Sequence, residues 1–297
     1  MKTIEYIIVK ILYASLRRIP FRYSLILAGI LRFLAQHILR YRKNVILDNL
    51  RLSFPEKTVE ELHPLIKEIY KNFAYLWVEI LQSGRLDQDF IKKNFTLHNW
   101  EIVEDALAEG KGLLLLTGHL SNFEWPVHYC MLNLDGVYAI MKRLSNPRIN
   151  KLIMGIREST GGKMILTKQA IKHGLRVLKQ GDCLVVVTDQ DAGKTGVFVN
   201  FLGRPASTAT GAAIFHLKTK APIVFVAGIR KKYGVFDIYF ERIPDYQHEN
   251  FSDKSIREIT KLHTAVLEKW IKRYPEQYLW THKRWKTKES VSTDNPN

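Results

Sequence analysis

From Thr58 onward, apolar side chains recur at Leu62, Leu65, Ile66, Ile69, Phe73, Leu76 and Ile80. That three-and-four spacing predicts a long amphipathic helix. Glu61, three residues after Thr58, adds the reciprocal capping signature of a helix start. Before it, Ile4 to Leu16 and Ser24 to Leu39 are rich in Ile, Leu and Phe, so residues 1–90 read as a helical N-terminal region. After about residue 94 the rhythm changes. Short apolar runs at Gly112–Thr117, Val137–Lys142, Lys163–Leu166, Cys183–Thr188, Pro222–Ile229 and Val235–Phe240 read as strands. Amphipathic stretches at Ile149–Ser159, Gln169–Leu178 and Thr210–Lys218 lie between them, and Ser255–Lys272 reads as a last helix. This alternation predicts an α/β core over residues 91–288, with a central, largely parallel or mixed sheet flanked by helices. The last two runs, joined at Gly234, predict a hairpin at one sheet edge. Residues 289–297 are polar and read as a disordered tail.

Composition narrows the partners. The chain of 297 residues carries a net charge of +16, which favours an anionic surface or substrate. Its two cysteines, Cys130 and Cys183, suggest neither a metal site nor a disulfide framework, and a reducing compartment fits. The apolar N-terminal segments are interrupted by Arg17, Arg18, Arg22 and Arg32 and followed by Arg40, Arg42 and Lys43. A bilayer span takes about 20 predominantly apolar residues, and neither segment supplies them cleanly. Apolar helices edged by arginine instead predict elements lying in a membrane interface. No nucleic-acid-binding motif is present, so a nucleic-acid partner is not expected.

Candidate chemistry starts where the Leu113–Leu116 run ends in Thr117-Gly118-His119. Ligands of open α/β sheets bind at the carboxyl ends of strands. Histidine is the side chain that changes charge between pH 5 and 8, and its neutral ring can take a proton from a hydroxyl. Glu124 lies about 500° further on if the helix were continuous, so the two share no face of one helix. With His119 in the loop and Glu124 in the first turn after it, they can meet, and the carboxylate would orient the ring. The bland reading makes Ser121 and Glu124 a capping box. It puts Pro126 fifth in the helix, where a missing N–H breaks a ladder bond. A second strand ends in Asp189-Gln190-Asp191, a weak motif that can hold a divalent cation or shape a loop. The following loop, Gly193 to Pro205 with Arg204, suits a lip for a ligand both charged and greasy. Arg143, after a core strand and before Asn146-Pro147, is a candidate phosphate-binding cation.

Three places together resemble the lysophospholipid acyltransferase superfamily, most closely its late lipid A acyltransferase branch of lauroyl and myristoyl transferases. His119-x-x-x-x-Glu124 matches the family's His/acid pair. Asp189-Gln190-Asp191 with Val197-Phe198-Val199 and Thr208-Ala209-Thr210-Gly211 matches a second block, and Pro275 to Trp285 a third. The resemblance implies acyl transfer from an acyl carrier protein or coenzyme A thioester to a hydroxyl of an anionic glycolipid, expected to be a lipid A precursor. No metal or other cofactor is needed. His119 is then the general base and Glu124 its orienting partner, with Arg143, Asn146, Asp189, Asp191 and Arg204 around the substrates. The implied location is the cytoplasmic face of the inner membrane, held peripherally or by a single anchor. Transfer to another lysophospholipid or glycolipid, or a metal-dependent glycosyltransferase built on Asp189-x-Asp191, are the alternatives.

Overall fold

The computed structural model of the chain describes residues 2–244, 246 and 250–289. The expected tail therefore falls, beyond Glu289, outside the described residues. The first part is helical: α1 (Lys2–Arg18), α2 (Ser24–Phe33) running into a π-turn at Leu34–Ile38, α3 (Lys43–Ser53), α4 (Val59–Gln82) and α5 (Gln88–Asn94). Helix α4 opens with the expected reciprocal cap: Glu61 N–H donates to Thr58 Oγ1, and Thr58 N–H donates to the Glu61 carboxylate. No helix among the described residues is long and apolar enough to cross a membrane.

Strands and helices then alternate: β1 (Phe95–His98), α6 (Glu101–Ala108), β2 (Leu113–Thr117), α7 (Glu124–Asn133), β3 (Val137–Met141), α8 (Pro147–Arg157), β4 (Lys163–Leu166), α9 (Ala170–Lys179) and β5 (Cys183–Val187). After them come β6 (Val197–Phe201), β7 (Arg204–Thr208), α10 (Gly211–Thr219), β8 (Ile223–Lys232), β9 (Val235–Arg242) and α11 (Asp253–Arg273). Seven strands form one sheet in the order β1-β9-β8-β2-β5-β3-β4. The block from β8 to β4 is parallel throughout, β9 runs against β8, and β1 pairs in parallel with β9. The expected mixed α/β class is the observed one.

The unbroken leucine run of β2 follows from this position. Leu114 and Leu116 pack into one core with Leu184, Phe225 and residues of α9, α10 and α11, while Leu113 and Leu115 pack into the other with Trp125, Val185 and Val224. A strand covered on both faces has no solvent side on which to place a polar residue.

Two details differ from the sequence expectation. The β8–β9 hairpin does not form an edge, because β1 adds outside β9 and β8 lies beside the central β2. The four residues of β1 are too few to show an alternation. The expected lip after Asp191 is largely a two-stranded antiparallel ribbon, β6–β7. Its turn is Leu202-Gly203, both with positive φ (50° and 79°), the backbone of a tight primed hairpin.

Candidate active site

Strands β2 and β5 are neighbours in register, with Thr117 opposite Val187. Both end there, and the alignment continues one step further, since Thr188 N–H donates to Thr117 O at 3.1 Å. His119 and Asp189 each lie two residues beyond the aligned ends, so the two strands deliver them to the same place. The Asp189 carboxylate accepts the backbone N–H of His119 through Oδ2 (3.0 Å) and lies 2.7 Å from His119 Nδ1 through Oδ1. Its side chain is 2% exposed and that of His119 is 16% exposed, so the ring reaches solvent while its partner does not. Burial alone would raise the Asp189 carboxyl. The charge and hydrogen bonds of His119, with a smaller contribution from Arg284, outweigh it and hold the group at about 2. The carboxylate is therefore the accepting partner, and a neutral His119 ring carries its proton on Nδ1. The Nε2 lone pair faces outward, where the side-chain nitrogen of Gln190 lies 3.2 Å away.

Glu124 does not take the orienting place expected for it. Its two oxygens accept from Arg157 of α8, at 3.1 Å from Nε and 2.5 Å from Nη2. Burial raises this carboxyl, but Arg157 outweighs burial and, with smaller contributions from His128 and His119, draws it below its ordinary value. One helical turn on, buried His128 lies 2.7 Å from Thr160 Oγ1, and desolvation pushes its ring down to about 4.

The turn carrying His119 is held from several sides. Asn122, not Ser121, holds the first turn of α7: its Oδ1 accepts from Glu124 N–H and Trp125 N–H, and its Nδ2 donates to Glu79. Ser121 has φ of 53°. The helix starts at Glu124, so Pro126 is its third residue, where a helix has no intrahelical N–H bond to lose. Glu79 and Arg230 form a buried ion pair joining α4 to β8, with side chains 0% and 3% exposed. Gln277 pairs with the Arg230 backbone in both directions, and its own carbonyl accepts from Ser121 N–H. Leu279 N–H donates to His119 O at 3.0 Å, closing a strap over the turn. An added Cβ at Gly118 would sit 2.7 Å from both Leu267 methyl groups of α11, so a side chain there would require Leu267 to move.

The remaining candidates are placed separately. Asp191 accepts from Thr287 N–H (3.1 Å), Thr287 Oγ1 (2.9 Å) and Gly193 N–H (3.3 Å), so the two acids of the Asp-x-Asp motif serve different partners. No group of three or more metal-ligating side chains occurs among the described residues. Asn146 caps α8, accepting from Arg148 N–H and Ile149 N–H, and donates to Lys2 O. Its side chain is thus occupied by the protein itself. Arg143 is exposed beyond β3. Arg204 is half-buried and stacks on Trp285, 4.5 Å from the ring centroid. Arg284, buried beneath the site, donates to Ser207 O and Thr208 Oγ1.

The bacterial lipid A biosynthesis acyltransferase description matches residues 2–287. The chain belongs to that family. Membership makes it an enzyme of O-acyl transfer and favours that chemistry over the glycosyltransferase alternative. Similar curated proteins include the lipid A biosynthesis palmitoleoyltransferase of Escherichia coli K12, 25% identical over 268 residues (86% of this chain, 82% of the relative). The lauroyltransferase of the same organism is 26% identical over 260 residues, with 86% and 82% covered. A lipid A biosynthesis acyltransferase of Haemophilus influenzae is 24% identical over 272 residues, with 88% and 81% covered.

Proposed function

We propose that this enzyme moves a fatty acyl chain from an acyl carrier protein or coenzyme A thioester to a hydroxyl of a lipid A precursor, with His119 as general base. The observation that carries the reading is the His119–Asp189 pair at the carboxyl ends of two adjacent parallel strands. An imidazole with its proton on Nδ1 presents Nε2 to an incoming hydroxyl. Asp189 fixes that tautomer and stabilises the imidazolium as it forms, the part a buried carboxylate plays in Ser-His-Asp sites. The freed oxygen attacks the thioester carbonyl, and the proton on Nε2 passes to the departing thiolate. Glu124 and Arg157 form the charged border of the site, and Arg143 offers a cation to an acceptor phosphate.

The enzyme works from the membrane surface, at the cytoplasmic face of the inner membrane. Ile4 (63% exposed), Ile26 (65%) and Leu39 (70%) stand out from α1, α2 and the turn that follows, with Ile7, Ile8, Ile11, Ile30, Phe33 and Ile38 beside them. Arg17, Arg18, Arg22, Arg32, Arg40 and Lys43 edge this surface with positive charge. Apolar side chains rimmed by cations suit the boundary between acyl chains and anionic headgroups.

The test uses purified protein, each thioester in turn and a lipid A precursor in detergent micelles, with products read by mass spectrometry. The reading expects the acceptor mass to rise by one acyl group and expects no product from His119→Ala. Product formation by His119→Ala at the wild-type rate, or no product with either donor, contradicts it.

A further inference from the structure

Gln190 is held in an unusual place for an exposed side chain. Its two neighbours are fixed: Asp189 by the backbone and ring of His119, and Asp191 by Thr287 and Gly193. The Gln190 side chain, exposed to solvent, projects from between them, and among the described residues its polar partner is His119 Nε2, at 3.2 Å.

Proton accounting settles which group of the amide faces the ring. The Asp189 carboxylate has no proton to give, so Nδ1 donates to it and a neutral ring keeps a bare lone pair on Nε2. Only the NH2 end of Gln190 complements that lone pair. In the absence of substrate the nitrogen that would take the proton is thus already accepting a hydrogen bond. An acceptor hydroxyl needs the same lone pair at about 2.6–3.2 Å. It must replace the amide. Exposed side chains change rotamer on the picosecond-to-nanosecond scale, so the exchange needs no movement of the backbone.

The displaced amide has somewhere useful to go. It starts within one hydrogen-bond length of the base, hence beside the oxygen that replaces it and the carbonyl carbon that oxygen attacks. Charge gathers on the carbonyl oxygen bonded to that carbon. Amide side chains are among the donors that serve such oxyanions. Neither flanking acid competes, because the oxygens of Asp189 and Asp191 are already engaged.

We propose that Gln190 is the oxyanion donor of the transfer: its amide rests on His119, yields that position to the acceptor hydroxyl, and then donates to the thioester oxygen. The proposal rests on the reading of His119 as base. In the step itself the hydroxyl proton moves to Nε2 as the O–C bond forms. The carbonyl π pair moves onto oxygen, where the Gln190 N–H meets it. That pair returns, the C–S bond breaks, and the thiolate takes the proton from Nε2.

The experiment compares wild type, Gln190→Ala, Gln190→Glu and His119→Ala with an acyl carrier protein thioester and a lipid A precursor in detergent micelles, across pH. Loss of an oxyanion donor lowers kcat by about 10²–10³. Gln190→Ala should show that loss with KM for the thioester and the acid limb of the kcat profile unmoved, since in the substrate complex the amide has already left Nε2. In Gln190→Glu the donor is replaced by a carboxylate beside Nε2, which favours the imidazolium, so kcat should fall as far and the acid limb should move upward. A Gln190→Ala enzyme that keeps wild-type kcat, or changes only KM, while His119→Ala is inactive overturns this proposal and leaves the base reading standing. An active His119→Ala overturns both.

Discussion

Asp189→Asn keeps the size of the side chain and removes the charge on which His119 leans. Two numbers bracket the effect. The carboxyl sits at about 2 rather than its ordinary 3.8, net of the burial that opposes ionisation. At about 1.36 kcal/mol per pH unit, that gap is worth roughly 2–3 kcal/mol, or on the order of 10²-fold in rate if the same interaction stabilises the imidazolium of the transition state. The upper bracket comes from the tautomer. Asparagine offers one acceptor and one donor where the carboxylate accepts from both the His119 backbone N–H and Nδ1. If its NH2 faces Nδ1, the ring proton moves to Nε2 and the base is lost. The same replacement in Ser-His-Asp sites costs about 10⁴ in kcat. The expected loss in kcat is therefore about 10²–10⁴ with KM little changed. The assay is steady-state acyl transfer followed by mass spectrometry, with circular dichroism to show that the variant is folded. A folded Asp189→Asn enzyme retaining kcat within about threefold would refute the reasoning.

Three other outcomes follow from the same geometry. Glu124→Gln strands Arg157 without its carboxylate in a largely buried position, so stability should fall by about 3–5 kcal/mol in denaturant unfolding, and adding Arg157→Met should restore most of it. An unchanged midpoint for Glu124→Gln would contradict that pairing. Acid should destabilise the fold: His128 is held at about 4 and His263 at about 3 by burial, below the 6.5 of an unfolded histidine. Because the unfolded chain takes up those protons first, stability is full above about pH 6.5 and is lost as pH falls toward those values, with up to roughly 3 kcal/mol from His128 alone. His128→Asn should flatten the dependence of Tm on pH, and an unflattened slope would show that His128 is not its source. Replacing Ile26, Ile30 and Phe33 with serine should weaken sedimentation with anionic vesicles at high salt without altering Tm, whereas undiminished binding would move the membrane contact elsewhere.

The strand that ends at Thr117 was readable because a doubly covered strand leaves an uninterrupted apolar run, and the same held for β5. From those two runs the class of fold and the corner that carries the candidate site could be anticipated. The partner of His119 was harder, because Glu124 is near in sequence and Asp189 is 70 residues away. A signal was nevertheless present. His119 stands two residues beyond Thr117, and Asp189 two residues beyond Val187, so pairing the two strands end to end puts the side chains together. What the residues alone do not give is that β2 and β5 are neighbours, since strand order depends on how α7, β3, α8, β4 and α9 cross between them. Arg157 was missed for the same reason. It ends α8 in what reads as an ordinary amphipathic turn, and only the packing of α8 brings it to Glu124. Asn146 shows the opposite case: an asparagine before Pro147 carries the local signature of a helix cap, and that is the role it has. The β6–β7 ribbon was hidden by its tight Leu202-Gly203 turn, which lacks the usual asparagine or aspartate.

The central claim is that Nε2 of His119 is the bare nitrogen and Nδ1 the protonated one, held so by Asp189. Nitrogen-15 chemical shifts of selectively labelled histidine, assigned through loss of the His119→Ala signal and recorded at neutral pH, measure this directly. The account predicts that His119 shows a protonated Nδ1 and an unprotonated Nε2, and that Asp189→Asn shifts the population toward the other tautomer. A His119 ring carrying its proton on Nε2 in the wild-type enzyme would contradict it.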